Sequence, residues 1–160
     1  IKEDEHGLFL KNTNTLFPPQ DVSDIEGAAL GKDGTVIAIT SYSQNKKGKR
    51  SDKREQFLHV RSGEEPEVQL FAGQEFFGGL KQQLLTIDRS LGEQSDELNI
   101  EGLSFTPGGD GLWIGLRSPV YQGKAIIVKL TNPYELVSLP RETGGLITTG
   151  LCRNIISVRH

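Results

Sequence analysis

The chain is poor in the residues that most readily identify a chemistry. Its 160 residues hold one cysteine, Cys152, which excludes an internal disulfide and a cysteine zinc site. The three histidines, His6, His59 and His160, lie far apart and give no zinc-ligand spacing. An excess of positive charge is missing too. Eighteen Lys and Arg against 21 Asp and Glu leave a net charge of -3, whereas a nucleic-acid-binding domain is normally strongly basic. No run approaches the ~20 apolar residues of a membrane-spanning helix, so neither nucleic acid nor membrane is an expected partner. The His-Glu-x-x-His, P-loop, dinucleotide-glycine and EF-hand patterns are all absent. These absences fix neither an activity nor a compartment, and whether the chain is an enzyme stays open.

What the chain has is glycine, 19 residues of it, much of it set between short apolar runs as strands and tight turns require. It also has a repeat. Ile25-Glu26-Gly27 recurs as Ile100-Glu101-Gly102, 75 residues later by the numbering. Each copy continues through an apolar stretch into a glycine turn, Gly31 to Gly34 and Pro107 to Gly111. A second apolar strand follows, Thr35 to Ser41 and Leu112 to Ser118, aligning Ile37 with Ile114, Ile39 with Leu116 and Ser41 with Ser118. Third strands are predicted over Gln56 to Arg61 and Ala125 to Leu130, and fourth strands over Glu67 to Phe71 and Glu135 to Leu139.

Strand, hairpin, strand, loop, strand, turn, strand is the plan of a propeller blade. The sequence therefore predicts an all-β fold: two four-stranded antiparallel blades of a β-propeller with one inserted helix. That helix is read from Leu80, Leu84, Ile87 and Leu91, spaced four, three and four apart on one helical face, with Gly92 placed to end it. The division follows: residues 1–23 an extension with a charged, loose start, 24–72 unit 1, 73–98 the inserted helix and loop, 99–140 unit 2, and 141–160 the start of an unfinished third unit. Two blades cannot close a ring and would expose strand edges. The expected partners are accordingly the remaining blades of a longer chain, or further copies through self-association. The opening Ile1, in place of Met, points to the fragment.

The ordered motifs Asp24-Ile25-Glu26-Gly27-Ala28-Ala29, Ser41 with its Gly-Lys-Arg loop, Asn99-Ile100-Glu101-Gly102-Leu103 and Gly115-Leu116-Arg117-Ser118-Pro119 resemble a bacterial family known as domain of unknown function thirty-six-sixteen. The likeness covers roughly residues 24 to 139. It implies a propeller-like fold, distantly similar to the esterase-like phytase propellers, and it implies no activity and no catalytic residues.

Three constellations are candidates for binding. Glu26 and Glu101 would come together if the repeats stack. Paired carboxylates there could hold Ca²⁺ or act as acid and base, or they could tie one unit to the next. The loop carrying Lys46, Lys47, Lys49, Arg50, Lys53 and Arg54 appears in one unit only. Arg50 and Arg54 could grip a phosphate or carboxylate, and the loop could equally be a solvated surface. Arg117 and Ser118 end an apolar strand beside Pro119, where a ligand would sit, although a salt bridge from Arg117 to Glu26 or Glu101 is the simpler reading. Ser41 lacks a Gly-x-Ser-x-Gly setting for a nucleophile. The expected function is a binding scaffold for a small-molecule or peptide-like ligand with no cofactor. The alternative is a metal-assisted phosphoester or ester hydrolase of phytase-like type, for which Ca²⁺ would be the cofactor.

Overall fold

Two antiparallel sheets form where the sequence repeats, and each opens on its Ile-Glu-Gly triplet. The computed structural model describes residues 2–4, 7–9, 22–61, 67–72, 74–131 and 133–136. A small hairpin of β1 (Lys2–Asp4) and β2 (Gly7–Phe9) comes first, so the charged start is a strand rather than a loose end. The first large sheet runs β3 (Ile25–Leu30), β4 (Val36–Thr40), β5 (Gln56–Arg61) and β6 (Glu67–Ala72) in sequence order. The second is β7 (Asn99–Phe105), β8 (Leu112–Tyr121) and β9 (Lys124–Leu130). The chain is thus mostly β, as its apolar runs predict. Among the described residues no helix is long and apolar enough to cross a membrane.

The expected fourth strand of the second unit does not begin at Glu135. Pro133–Leu136 form a short helix, α3, because proline fixes φ and lacks an amide hydrogen, which suits the first helical position. The rest of that expected strand, and the third unit expected over 141–160, lie outside the described residues.

Both triplets sit at the same irregularity. Ile25 faces Thr40 and Gly27 faces Ile39, so Glu26 is the extra residue of a bulge. Ile100 faces Leu116 and Gly102 faces Gly115, which leaves Glu101 in the same place. Counting from the triplets, Ile39 therefore corresponds to Gly115 and Ile37 to Trp113. The alignment of Ile37 with Ile114 is off by one residue along the strand. A shift of one residue moves a side chain to the opposite face of a sheet, and the core shows the result. Ile37, Ile39 and Phe57 from the first sheet share one buried cluster with Leu112, Ile114, Leu116, Ile126, Val128 and Leu130 from the second. The sheets meet through opposite faces of corresponding strands.

The hairpins repeat as well. Asp33 accepts from the backbone N–H and the hydroxyl of Thr35, each at 3.0 Å, and Gly34 takes φ 82°. In the second unit the Thr106 hydroxyl donates to Asp110 at 2.6 Å and Gly109 takes φ 79°. These short side-chain bonds and left-handed glycines are the local chemistry of tight turns.

Between the sheets in sequence lies α1 (Gln74–Ile87), followed by α2 (Arg89–Glu93). The helical stripe is real, with Leu80, Leu84 and Leu91 fully buried, but it belongs to two helices. Asp88 is extended (φ -158°) and its carboxylate accepts from the Ser90 N–H at 2.8 Å. That N-cap satisfies a first-turn donor and starts a new helix. Gly92 lies inside α2 and does not end it. A Cβ there would run into Leu85, so the glycine serves the close approach of α1 and α2. The helices do more than cover the sheets: Phe76 and Phe77 enter the common core against Phe57 and Tyr42.

Candidate functional site

The two inner strands determine where a site can form. β3 and β7 are edge strands of separate sheets, and they lie side by side in the same direction. At one end the Ile100 N–H donates to the Ser41 carbonyl at 2.8 Å. At the other, Lys32 Nζ reaches the Gly108 carbonyl at 3.3 Å. Gly27 makes the approach feasible, since a Cβ on it would stand 2.7 Å from that of Leu103.

At the triplet end Glu26, Glu101 and Arg117 come together. Arg117 Nη1 donates to Glu101 Oε1 at 2.6 Å. The hydrogen bond and charge of Glu101, with a smaller contribution from Glu26, hold the guanidinium above its ordinary range. The neighbouring Ser118 hydroxyl donates to the Glu97 carbonyl. Glu26, Glu101 and Arg117 are all exposed to solvent. The arrangement presents an exposed ion pair, Arg117 with Glu101, within electrostatic reach of Glu26. Among the described residues no group of three or more His, Cys, Asp or Glu is placed to hold a metal ion.

The basic loop is built differently from its sequence. Arg54 Nη1 donates to Asp24 Oδ2 at 2.7 Å and to Ser43 Oγ at 2.8 Å, and Ser43 Oγ lies 2.9 Å from Ser41 Oγ. Arg50 lies over the Tyr42 ring, 4.5 Å from its centroid, and donates to the Asp96 carbonyl at 3.0 Å. A second cation, Lys81, holds the Asp96 carboxylate at 2.9 Å and lowers its pKa. The other face of Tyr42 stacks on Phe77 with centroids 3.7 Å apart. Both arginines are therefore engaged with groups far away in sequence, Arg50 joining the loop to the segment before β7 and Arg54 joining it to the residue before β3. Lys46, Lys47, Lys49 and Lys53 stay exposed.

Two residues of this network, Asp24 (φ 64°) and Tyr42 (φ 57°), occupy the left-handed region. That conformation costs of order 1–3 kcal/mol per residue outside glycine. Here it is held by the Ser41 N–H to the Asp24 carbonyl at 2.9 Å and the Tyr42 N–H to the Arg54 carbonyl at 2.8 Å. Burial raises the pKa of Tyr42 and of Glu55, with Arg50 opposing both. The Glu55 carboxylate is 3.8 Å from Arg50.

At the hairpin end the inner strands part. A cleft of about 420 Å³ opens there, lined by Ala28, Leu30, Lys32, Leu103, Ser104 and Phe105 with their neighbours. No motif in the sequence marks it. Its one signal is the small residues beyond each triplet, Ala28 and Ala29 in one and Ser104 in the other, which leave space where larger side chains would fill it. The candidate residues thus divide into three places: Glu26, Glu101, Arg117 and Ser118 at the triplet end, Arg50 and Arg54 in the loop network, and the cleft at the hairpin end. Comparison with protein-family models, with curated proteins and with solved structures returned no match.

Proposed function

We propose that this chain is a binding scaffold for a small or peptide-like ligand, built on two neighbouring blades of a propeller of the domain-of-unknown-function type. The side-by-side inner strands and the shared bulge at both triplets support the blade reading. One observation carries the binding reading: the cleft between β3 and β7. Its volume is in the range of small-ligand sites, and its mixed lining sets Leu30, Leu103 and Phe105 beside Ser104, Thr106 and a single lysine.

The reading is tested by amide chemical shifts of the isotope-labelled chain during titration with a set of small-molecule fragments and short peptides. Binders should shift residues 28–32 and 103–109, and Ser104→Trp, which adds bulk at an exposed residue of the lining, should abolish those shifts without lowering the melting temperature. Binding that survives Ser104→Trp, or no binder in the set, sinks the reading.

A further inference from the structure

The cleft lies between two strand edges, and the register shows which of their backbone groups turn away from their own sheets. In an antiparallel pair, opposed residues alternate between exchanging hydrogen bonds and pointing their N–H and C=O outward. The Gly31 N–H donates to the Thr35 carbonyl at 2.7 Å, so this pair is of the bonded kind. Counting back along β3, Ala29 opposite Ile37 and Gly27 opposite Ile39 are bonded as well. The main-chain groups of Ala28 and Leu30 then point away from β4. In the second unit the Thr106 N–H donates to the Gly111 carbonyl at 2.9 Å. By the same count Ser104 and Gly102 are bonded to β8, and Leu103 and Phe105 turn their main chain outward. All four outward-turned residues line the cleft.

Side chains point to the same use. Leu30 is 70% exposed beside the cleft, an apolar surface next to outward-facing amides. Lys32 is the one charged side chain among the described lining residues, and its contact with the Gly108 carbonyl uses one of its three donors. Asp33 and Asp110 in the turns accept from Thr35 and Thr106, and no carboxylate of the described residues forms a salt bridge with Lys32, although its charge reaches Asp110. From Ala28 to Leu30 the strand advances roughly 7 Å at about 3.3 Å per residue, and the turn that follows sets Lys32 beyond its end, a span that suits a short segment.

We propose that the cleft takes an extended peptide, read through its main chain by Ala28 and Leu30, with a terminal carboxylate against Lys32. Strand addition to an exposed edge is a general mode of peptide recognition, in which main-chain bonds give affinity and a few side-chain contacts give selectivity. The proposal rests on the binding reading above and narrows it to one ligand class.

The probe is a tetra-alanine peptide carrying a fluorophore on an N-terminal glycine spacer, followed by anisotropy. Three forms are compared: free carboxylate, C-terminal amide, and carboxylate with alternate backbone nitrogens methylated. The carboxylate form should bind, and amidation should weaken it about tenfold, as for loss of one charge-assisted hydrogen bond. Backbone methylation should remove binding. Lys32→Gln should bring the carboxylate form to the level of the amide and leave the amide unchanged. Ala28→Pro, which deletes an outward amide and no ladder bond, should weaken all forms while the melting temperature holds. Equal binding of the methylated form, equal binding of the amide, or no binding up to millimolar concentration overturns the proposal. If small-molecule fragments still shift the cleft resonances in that last case, the peptide idea alone falls. If none does, the binding scaffold falls with it.

Discussion

Gly27 and Leu103 stand so close that a methyl group on the glycine would lie 2.7 Å from the leucine Cβ and 2.9 Å from its nitrogen. Both contacts are rigid, one of them backbone, so neither can swing aside. Gly27→Ala should therefore destabilise the chain by about 1–3 kcal/mol through overpacking. Gly102, at the same place in the other triplet, leaves more room: a methyl group on it would find its nearest neighbour at 3.9 Å. Gly102→Ala should accordingly cost well under the Gly27 loss. Urea unfolding of the two variants checks the contrast, and equal losses would mean that the inner strands do not meet as described.

Arg54 is expected to hold the fold rather than a ligand. It bonds Asp24 and Ser43 together, and hydrogen bonds to charged groups contribute about 1.5–3 kcal/mol. Arg54→Ala should lose an amount of that order, and Asp24→Asn should add little once Arg54 is gone. A double-mutant cycle reads the coupling. Additive losses would separate the two residues.

Phe77 lies between Tyr42 and Phe76, with no exposed surface. Phe77→Ala should cost about 3–5 kcal/mol, as for other buried aromatics cut to alanine. Gln82, exposed on the same helix, is the control, and Gln82→Ala should change the unfolding midpoint little. A small effect at Phe77 would detach the helices from the common core.

Glu55 should make stability depend on pH. Burial holds its carboxyl above the ordinary value, with Arg50 opposing, so the folded chain keeps the proton more tightly than the unfolded one. The stabilisation this gives is complete below the ordinary carboxyl value near 4.5 and is lost as pH rises through the raised one. Glu55→Gln, which imitates the protonated group, should melt above the parent at pH 7, and the gap should close toward pH 4. A lower melting temperature for the variant at pH 7 would show that the Arg50 contact outweighs burial.

The repeat was legible because Ile-Glu-Gly marks a bulge, a local device that recurs wherever the same backbone is needed. The helical face was legible for the same reason, since Leu80, Leu84 and Leu91 carry its period. Its division was harder to see, because Asp88 capping Ser90 looks like any polar pair until the backbone is known. The strand alignment slipped by one residue because β4 is buried on both faces and gives no alternation to fix it. The roles of Arg50 and Arg54 were not legible because their partners, Asp96 and Asp24, lie 46 and 30 residues away. Nothing local announces such pairings. Nor does a gap announce itself, so the cleft appeared only once Ala28 and Ser104 were set on neighbouring strands.

The exchange of faces between the sheets gives the pair a direction. A contact made by unlike sides carries no twofold axis within itself, so copies that join through it add head to tail, into a ring where the rotation closes. On the far side of β8 and β9, Trp113 and Ile127 occupy the positions that Ile37 and Phe57 hold in the first sheet. Growth by that contact would run one way, each sheet receiving on one side what it offers on the other.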